Sequence, residues 1–118
     1  MKKPPLYKSF GYAFQGLFQM LKGERNFQIE VLALIFNLFL IVFLGLHPKD
    51  AAIILLTCFV VLSAECLNTA IEKLCDLVQP KYDIRVKWIK DTSAAAVLIL
   101  AIVSVFVGVF VYSSYIFL

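Results

Sequence analysis

Charge is scarce in this sequence. Only 16% of its 118 residues are Asp, Glu, Lys or Arg, against about a quarter in soluble domains, too little polarity to coat a globule exposed to water on all sides. Glycine is equally thin: five residues, scattered, which excludes a Walker A loop, a dinucleotide fingerprint and a glycine-rich kinase loop. Any nucleotide site must be built another way. Cys58, Cys66 and Cys75 are too few and too irregularly spaced for a disulfide framework or a zinc site, and read as small hydrophobes. A cleavable signal is missing too, because Lys8, Ser9, Gln15 and Gln19 interrupt the opening residues. The N-terminus is expected to be retained.

What is abundant is apolar: 62% of residues are hydrophobic and the mean hydropathy is +0.90. Exposed to water, that surplus would form large apolar patches, so a bilayer is the expected solvent. The length allows one domain, 1–118. Residues 6–22 place Leu6, Phe10, Phe14, Leu17, Phe18 and Leu21 opposite Lys8, Tyr12, Gln15, Gln19 and Lys22, an amphipathic helix suited to the membrane interface or to packing on a bundle. Three spans follow, over about 27–46, 51–75 and 92–118. The tetrapeptide His47-Pro48-Lys49-Asp50 makes a hairpin between the first two. Tyr112 and Tyr115 suit an interfacial anchor near the end of the third.

Ten of the eleven basic residues flank two positions, ahead of the first span and between the second and third. The positive-inside bias therefore puts the N-terminus and the 75–90 segment in the cytoplasm, and the hairpin and C-terminus outside. No recognition motif accompanies these bases, so no nucleic-acid partner is expected.

The second span changes character midway. Asn68, Thr69, Glu72 and Asp76 all fall within roughly 60° of Glu65 at about 100° per residue. An acidic stripe at membrane depth is costly and is a functional candidate by default. Glu72 and Asp76 could alternatively be solvated helix-end groups, paired with Lys73, and Asn68 an interhelical hydrogen-bonding group. Glu65, deeper in the span, is placed for proton transfer. Glu24 and Glu30 should meet the stripe from the first span, and Lys90 and Asp91 from the foot of the third, beside the small run Ala94-Ala95-Ala96. An acidic cage for Mg²⁺, a lysine for phosphate and a buried carboxylate suit phosphoryl transfer. Two other readings fit less of this pattern. A small proton-coupled transporter accounts for Glu65 but not for charges gathered at one interface, and a non-catalytic assembly subunit would use the stripe as interhelical glue.

The stretch Glu65-Cys66-Leu67-Asn68-Thr69-Ala70-Ile71-Glu72, with Asp76 after it and Lys90-Asp91 ahead of Ala94-Ala95-Ala96-Val97, resembles the signature of the bacterial diacylglycerol kinase and undecaprenol kinase family. The resemblance extends to Gly11-Tyr12, Gly16-Leu17 and Glu24-Arg25-Asn26-Phe27. It implies an all-α, domain-swapped homotrimer in the bacterial inner membrane, three spans and a surface helix per chain, with active sites shared between subunits. It also implies ATP- and Mg²⁺-dependent phosphorylation of a membrane lipid alcohol. By matching position, Glu65 would be the general base, Asn68 would support the catalytic geometry, and Glu24 and Glu72 would hold the metal that bridges the ATP phosphates. Tyr12, Lys81, Tyr82, Asp83, Lys90 and Asp91 would contact ATP. There are departures: an arginine that the diacylglycerol branch carries near the start of the surface helix aligns with Pro5, leaving Lys8 to substitute. The Glu24–Phe27 segment looks more like the undecaprenol branch, and Glu30 more like the diacylglycerol branch.

Overall fold

In the computed structural model, which describes residues 2–117, the chain forms four helices: α1 (Leu6–Gly23), α2 (Arg25–Leu44), α3 (Pro48–Val78) and α4 (Ile84–Ile116). The sequence expectation ran the third span to Leu118, which lies outside the described residues. α2, α3 and α4 are each long and apolar enough to cross a membrane, so the chain is a multi-pass membrane protein. Their outward faces carry large exposed hydrophobics such as Val42, Phe43, Phe106 and Phe110, as expected of helices whose solvent is lipid.

α1 follows Pro4 and Pro5, where proline interrupts no helical hydrogen bond. Of its apolar residues, Met20 is the one buried, packed with Phe27 of α2 and Leu62 of α3. The phenylalanine side stays uncovered, with Phe10, Phe14 and Phe18 each at least half exposed. Packing on this chain's own bundle therefore does not account for the amphipathic pattern. Lys22 folds its ammonium over the Phe18 ring at 5.1 Å.

A single residue separates α1 from α2. Glu24 is extended (φ −115°, ψ 112°), donating its N–H to the Met20 carbonyl and accepting at its own carbonyl from the Gln28 N–H, both at 3.0 Å. The Gln28 side chain reaches back to the carbonyls of Leu21 and Lys22 at 2.9 and 3.3 Å. These are orphan acceptors at the end of α1, so the joint is braced and the Glu24 side chain is held at it.

At the other end of α2, Gly45 takes the left-handed conformation (φ 63°, ψ 49°) that glycine adopts without strain. The Leu46 N–H returns to the Ile41 carbonyl, and Leu46 packs on Ile54 and Val111. His47 then caps α3, its Nδ1 accepting from the Lys49 N–H, with Pro48 in the first turn. The Tyr115 hydroxyl accepts the His47 N–H at 2.9 Å and donates to the Asp50 carboxylate, tying the end of α4 to this hairpin. Deeper in, the Tyr112 hydroxyl donates to Asn37 Oδ1 at 2.6 Å, joining α4 to α2.

α3 and α4 are 31 and 33 residues long, about 46 and 50 Å by helical rise, well beyond the ~30 Å hydrocarbon core. Helix therefore continues past the apolar windows, and the 75–90 segment contains a turn of only five residues, 79–83. Pro80 and the Asp83 cap punctuate that turn. The extra turns of α3 and α4 project together at the end that also carries α1, and they bear the polar residues of the candidate site.

Candidate active site

Among the described residues, the buried polar side chains are Glu65 and Asn68, at 5% and 9% exposure. Both lie on α3. Glu65 is about 26 Å from the start of that helix, inside the lower margin of the hydrocarbon core, while Glu72 and Asp76 follow at the interface and beyond it. The stripe read from sequence is a single line of side chains that grades from buried to exposed, with Thr69 and Glu72 half-buried and Asp76 exposed.

The line is cross-braced by α4. The Asn68 amide Nδ2 donates to Glu72 Oε1 at 3.1 Å, and its Oδ1 accepts from the Ser93 hydroxyl at 2.7 Å. One turn closer to the α3–α4 turn, the Lys90 ammonium pairs with Asp76 at 2.7 Å and lies near enough to Glu72 to feel its charge. Asp76 thus pairs with Lys90, not with Lys73. Above Asn68, Glu65 lies within electrostatic reach of Glu30, Glu72 and Glu24. Carboxylates from α2, α3 and the α1–α2 joint therefore act electrostatically on one another.

A second group closes around the turn. Asp76, Lys81, Tyr82, Asp83, Lys87, Lys90 and Asp91 line one pocket of about 300 Å³, gathering five of the expected nucleotide contacts. Lys87 pairs with Asp91 at 2.6 Å. Asp83 caps α4 by accepting the Arg85 N–H at 2.9 Å and also binds the Arg85 guanidinium through both carboxylate oxygens, at 2.7 and 3.1 Å. Those side-chain and backbone bonds lower the Asp83 carboxyl from 3.8 to about 2, so it is ionised at any physiological pH.

On the far side of the α3 line, α1 overhangs the lower part of α3 and leaves a cleft of about 590 Å³. Glu24, Gln19, Thr69 and Lys73 supply polar groups there, and Leu17, Met20 and Cys66 an apolar wall. It is open enough, and mixed enough in character, to admit an interfacial head group with an apolar tail.

Two expectations find no contact within one chain. Tyr12 stands 57% exposed on α1, apart from the turn pocket. No three His, Cys, Asp or Glu side chains come close enough to hold a metal among the described residues. The sequence reading also missed Ser93 and emphasised Ala94, Ala95 and Ala96, which are exposed. The α4 face that meets α3 is instead Ser93, Val97, Leu100, Ala101, Ser104, Val107, Gly108 and Val111. Its 3-4 spacing is readable in the sequence and puts Ser93, not the alanines, against Asn68.

Comparison with known proteins places these features in context. Residues 11–112 match the family described as prokaryotic diacylglycerol kinase. An undecaprenol kinase of Bacillus subtilis (strain 168) is 34% identical over 106 residues, covering 90% of this chain and 86% of the relative. A diacylglycerol kinase of Synechocystis sp. is 37% identical over 106 residues, covering 89% of this chain and 61% of that relative, so the chain spans less than two thirds of the second protein's length.

Proposed function

Because the chain belongs to the prokaryotic diacylglycerol kinase family and is a lipid kinase, we propose that it transfers the γ-phosphoryl group of ATP, with Mg²⁺, to the hydroxyl of a membrane lipid alcohol of the undecaprenol or diacylglycerol type. The observation that carries this reading is the continuous polar line from buried Glu65 through Asn68 and Glu72 to Lys90 and the turn pocket. It links a membrane-depth carboxylate to a pocket of lysines and aspartates outside the apolar spans.

The lipid hydroxyl reaches Glu65 from the cleft beneath α1. Glu65 takes the hydroxyl proton as the oxygen forms its bond to the γ-phosphorus and the bond to the β–γ bridging oxygen breaks, releasing ADP. General-base help of this kind is worth about 10²- to 10⁴-fold. Asn68 holds Glu72 by its amide, and Lys90 leaves Asp76 for a phosphate oxygen. Lys81, Tyr82, Asp83 and Asp91 shape the pocket for the nucleotide.

The donor chemistry fits a divalent cation. Mg²⁺ is typically held by one or two carboxylates together with substrate phosphates, so Glu24 and Glu72 suffice without a third protein ligand. When bound, the ion neutralises phosphate charge as it develops. A homotrimer with exchanged elements and shared sites accounts for Tyr12 and for the partial set of acids in one chain, since a neighbouring subunit would supply the rest. Ten of eleven bases fall at the end bearing α1 and the 79–83 turn, which supports a cytoplasmic N-terminus, an external C-terminus and residence in the inner membrane.

The test is a side-by-side assay of purified protein in mixed micelles with labelled ATP, Mg²⁺ and either undecaprenol or diacylglycerol. Phosphorylation of one lipid is expected, and its identity assigns the acceptor; turnover of neither lipid defeats the proposal.

A further inference from the structure

Ser93 departs from the other serines of its helix. Ser104, Ser113 and Ser114 all donate to a carbonyl three residues back on α4 (Ala101, Phe110 and Val111), the local habit of serine in a helix. Ser93 instead donates across to α3, where the Asn68 amide oxygen accepts at 2.7 Å. It follows Val86 and Lys90 on the inward face of α4, and its partner is one of the two buried polar side chains among the described residues.

The direction of this relay matters. An ionised Glu72 can only accept, so the Asn68 amide must turn Nδ2 toward it, as the 3.1 Å contact has it. Oδ1 then faces α4, where a donor is needed and Ser93 supplies one. A flipped amide would bring its oxygen against the Glu72 carboxylate, acceptor against acceptor. Once Glu72 engages a cation, its hold on the amide weakens, and the bond from Ser93 is what continues to fix Asn68.

We infer that Ser93 is a positioning residue for phosphoryl transfer, acting through Asn68 by orienting its amide toward Glu72. The kinetic part of this inference rests on the proposed lipid kinase mechanism; the structural part does not. A competing role as plain interhelical glue predicts a change in stability alone.

The chain has three asparagines, Asn26, Asn37 and Asn68, so ¹⁵N-asparagine labelling of the full chain gives three side-chain amide pairs. Ser93→Ala is expected to move the Asn68 pair while leaving Asn26 and Asn37 in place, which also verifies folding. Ser93→Thr, which keeps the donor, is expected to restore the position. In the lipid kinase assay, Ser93→Ala should lower kcat about tenfold, roughly the value of one lost hydrogen bond to a reacting array. KM for lipid should change less than about twofold, and Ser93→Thr should recover most of kcat. An unmoved Asn68 resonance, an unchanged kcat in Ser93→Ala, or equal loss in both variants overturns the inference. If the unsubstituted protein phosphorylates no lipid, the functional reading falls, and the amide resonances alone decide whether Ser93 sets the Asn68 orientation.

Discussion

Glu65→Gln separates a chemical from a structural role for the most buried carboxylate. The replacement keeps shape and hydrogen-bonding length and removes one negative charge. Glu65 is 5% exposed and forms no ion pair among the described residues, and Glu30, Glu72 and Glu24, the charges that act on it, all have its own sign. Neutralising it therefore relieves repulsion without orphaning a cation, and the new amide donor finds carboxylate acceptors nearby. Folding stability should hold or rise. Activity should move the other way: loss of a general base costs about 10²- to 10⁴-fold in kcat, or about 2.7 to 5.5 kcal/mol of barrier. The assay is transfer of labelled phosphate to lipid at saturating ATP and lipid, beside a denaturation curve of the same preparation in the same micelles. A folded protein with kcat within about threefold of the unsubstituted chain would refute the reasoning, because a catalytic base cannot be lost so cheaply. A protein that lost its fold first would assign Glu65 to assembly instead.

Other perturbations follow from the same geometry. Lys90→Met should raise KM for ATP about tenfold or more, while stability stays nearly unchanged, because the Lys90–Asp76 pair is 37% and 61% exposed; ATP titrations and denaturation curves check both. Tyr112→Phe removes the donor to Asn37 at membrane depth and should cost about 0.6 to 1.7 kcal/mol, measured by unfolding in mixed micelles, with kcat unchanged. Asp83, with its carboxyl lowered from 3.8 to about 2, contributes stability that is full above its unfolded pKa and is lost progressively as pH falls from there through about 2. Protection of the Arg85 amide from hydrogen exchange should accordingly stay level from about pH 8 down to about pH 4 and then fall, and Asp83→Ala should abolish it throughout. Omitting Mg²⁺ with a chelator should weaken binding of a non-hydrolysable ATP analogue at least about tenfold, read by equilibrium dialysis.

The sequence displays the buried part of the site more clearly than its frame. Glu65 and Asn68 stand out because each interrupts an apolar run at helical spacing, and burial is the reason such interruptions carry information. Lys90 reaches the α3 stripe for a similarly legible reason: a helix leaving a short turn must run back alongside its predecessor. The extent of the helices is less legible, since hydropathy tracks the solvent, whereas backbone hydrogen bonds continue through Val78 whatever surrounds them. The joint at Glu24 was equally hidden, because one extended residue braced by Gln28 leaves no punctuation beyond Gly23. Ser93 was lost to a more conspicuous neighbour. A run of three alanines suggests close helix packing, but a helix turns away within such a run, and only residues three or four apart share its inward face.

Charge balance in the turn pocket explains why a site for a polyanion should depend on a divalent ion. The pocket is lined by Lys81, Lys87 and Lys90, but equally by Asp76, Asp83 and Asp91. Lys90 and Lys87 are engaged by Asp76 and Asp91, and Asp83 is locked to Arg85. An arriving triphosphate would meet a largely neutralised surface, and recruiting Lys87 or Lys90 would expose Asp91 or Asp76 beside it. A lysine-only site would therefore gain little from its charges. On the proposed assignment, a divalent cation held by Glu24 and Glu72 would change that balance, because it would offset both the phosphates and the uncovered carboxylates. Under the proposed mechanism the acidic stripe and the paired lysines would then be two halves of one arrangement, the first holding the metal and the second the phosphates.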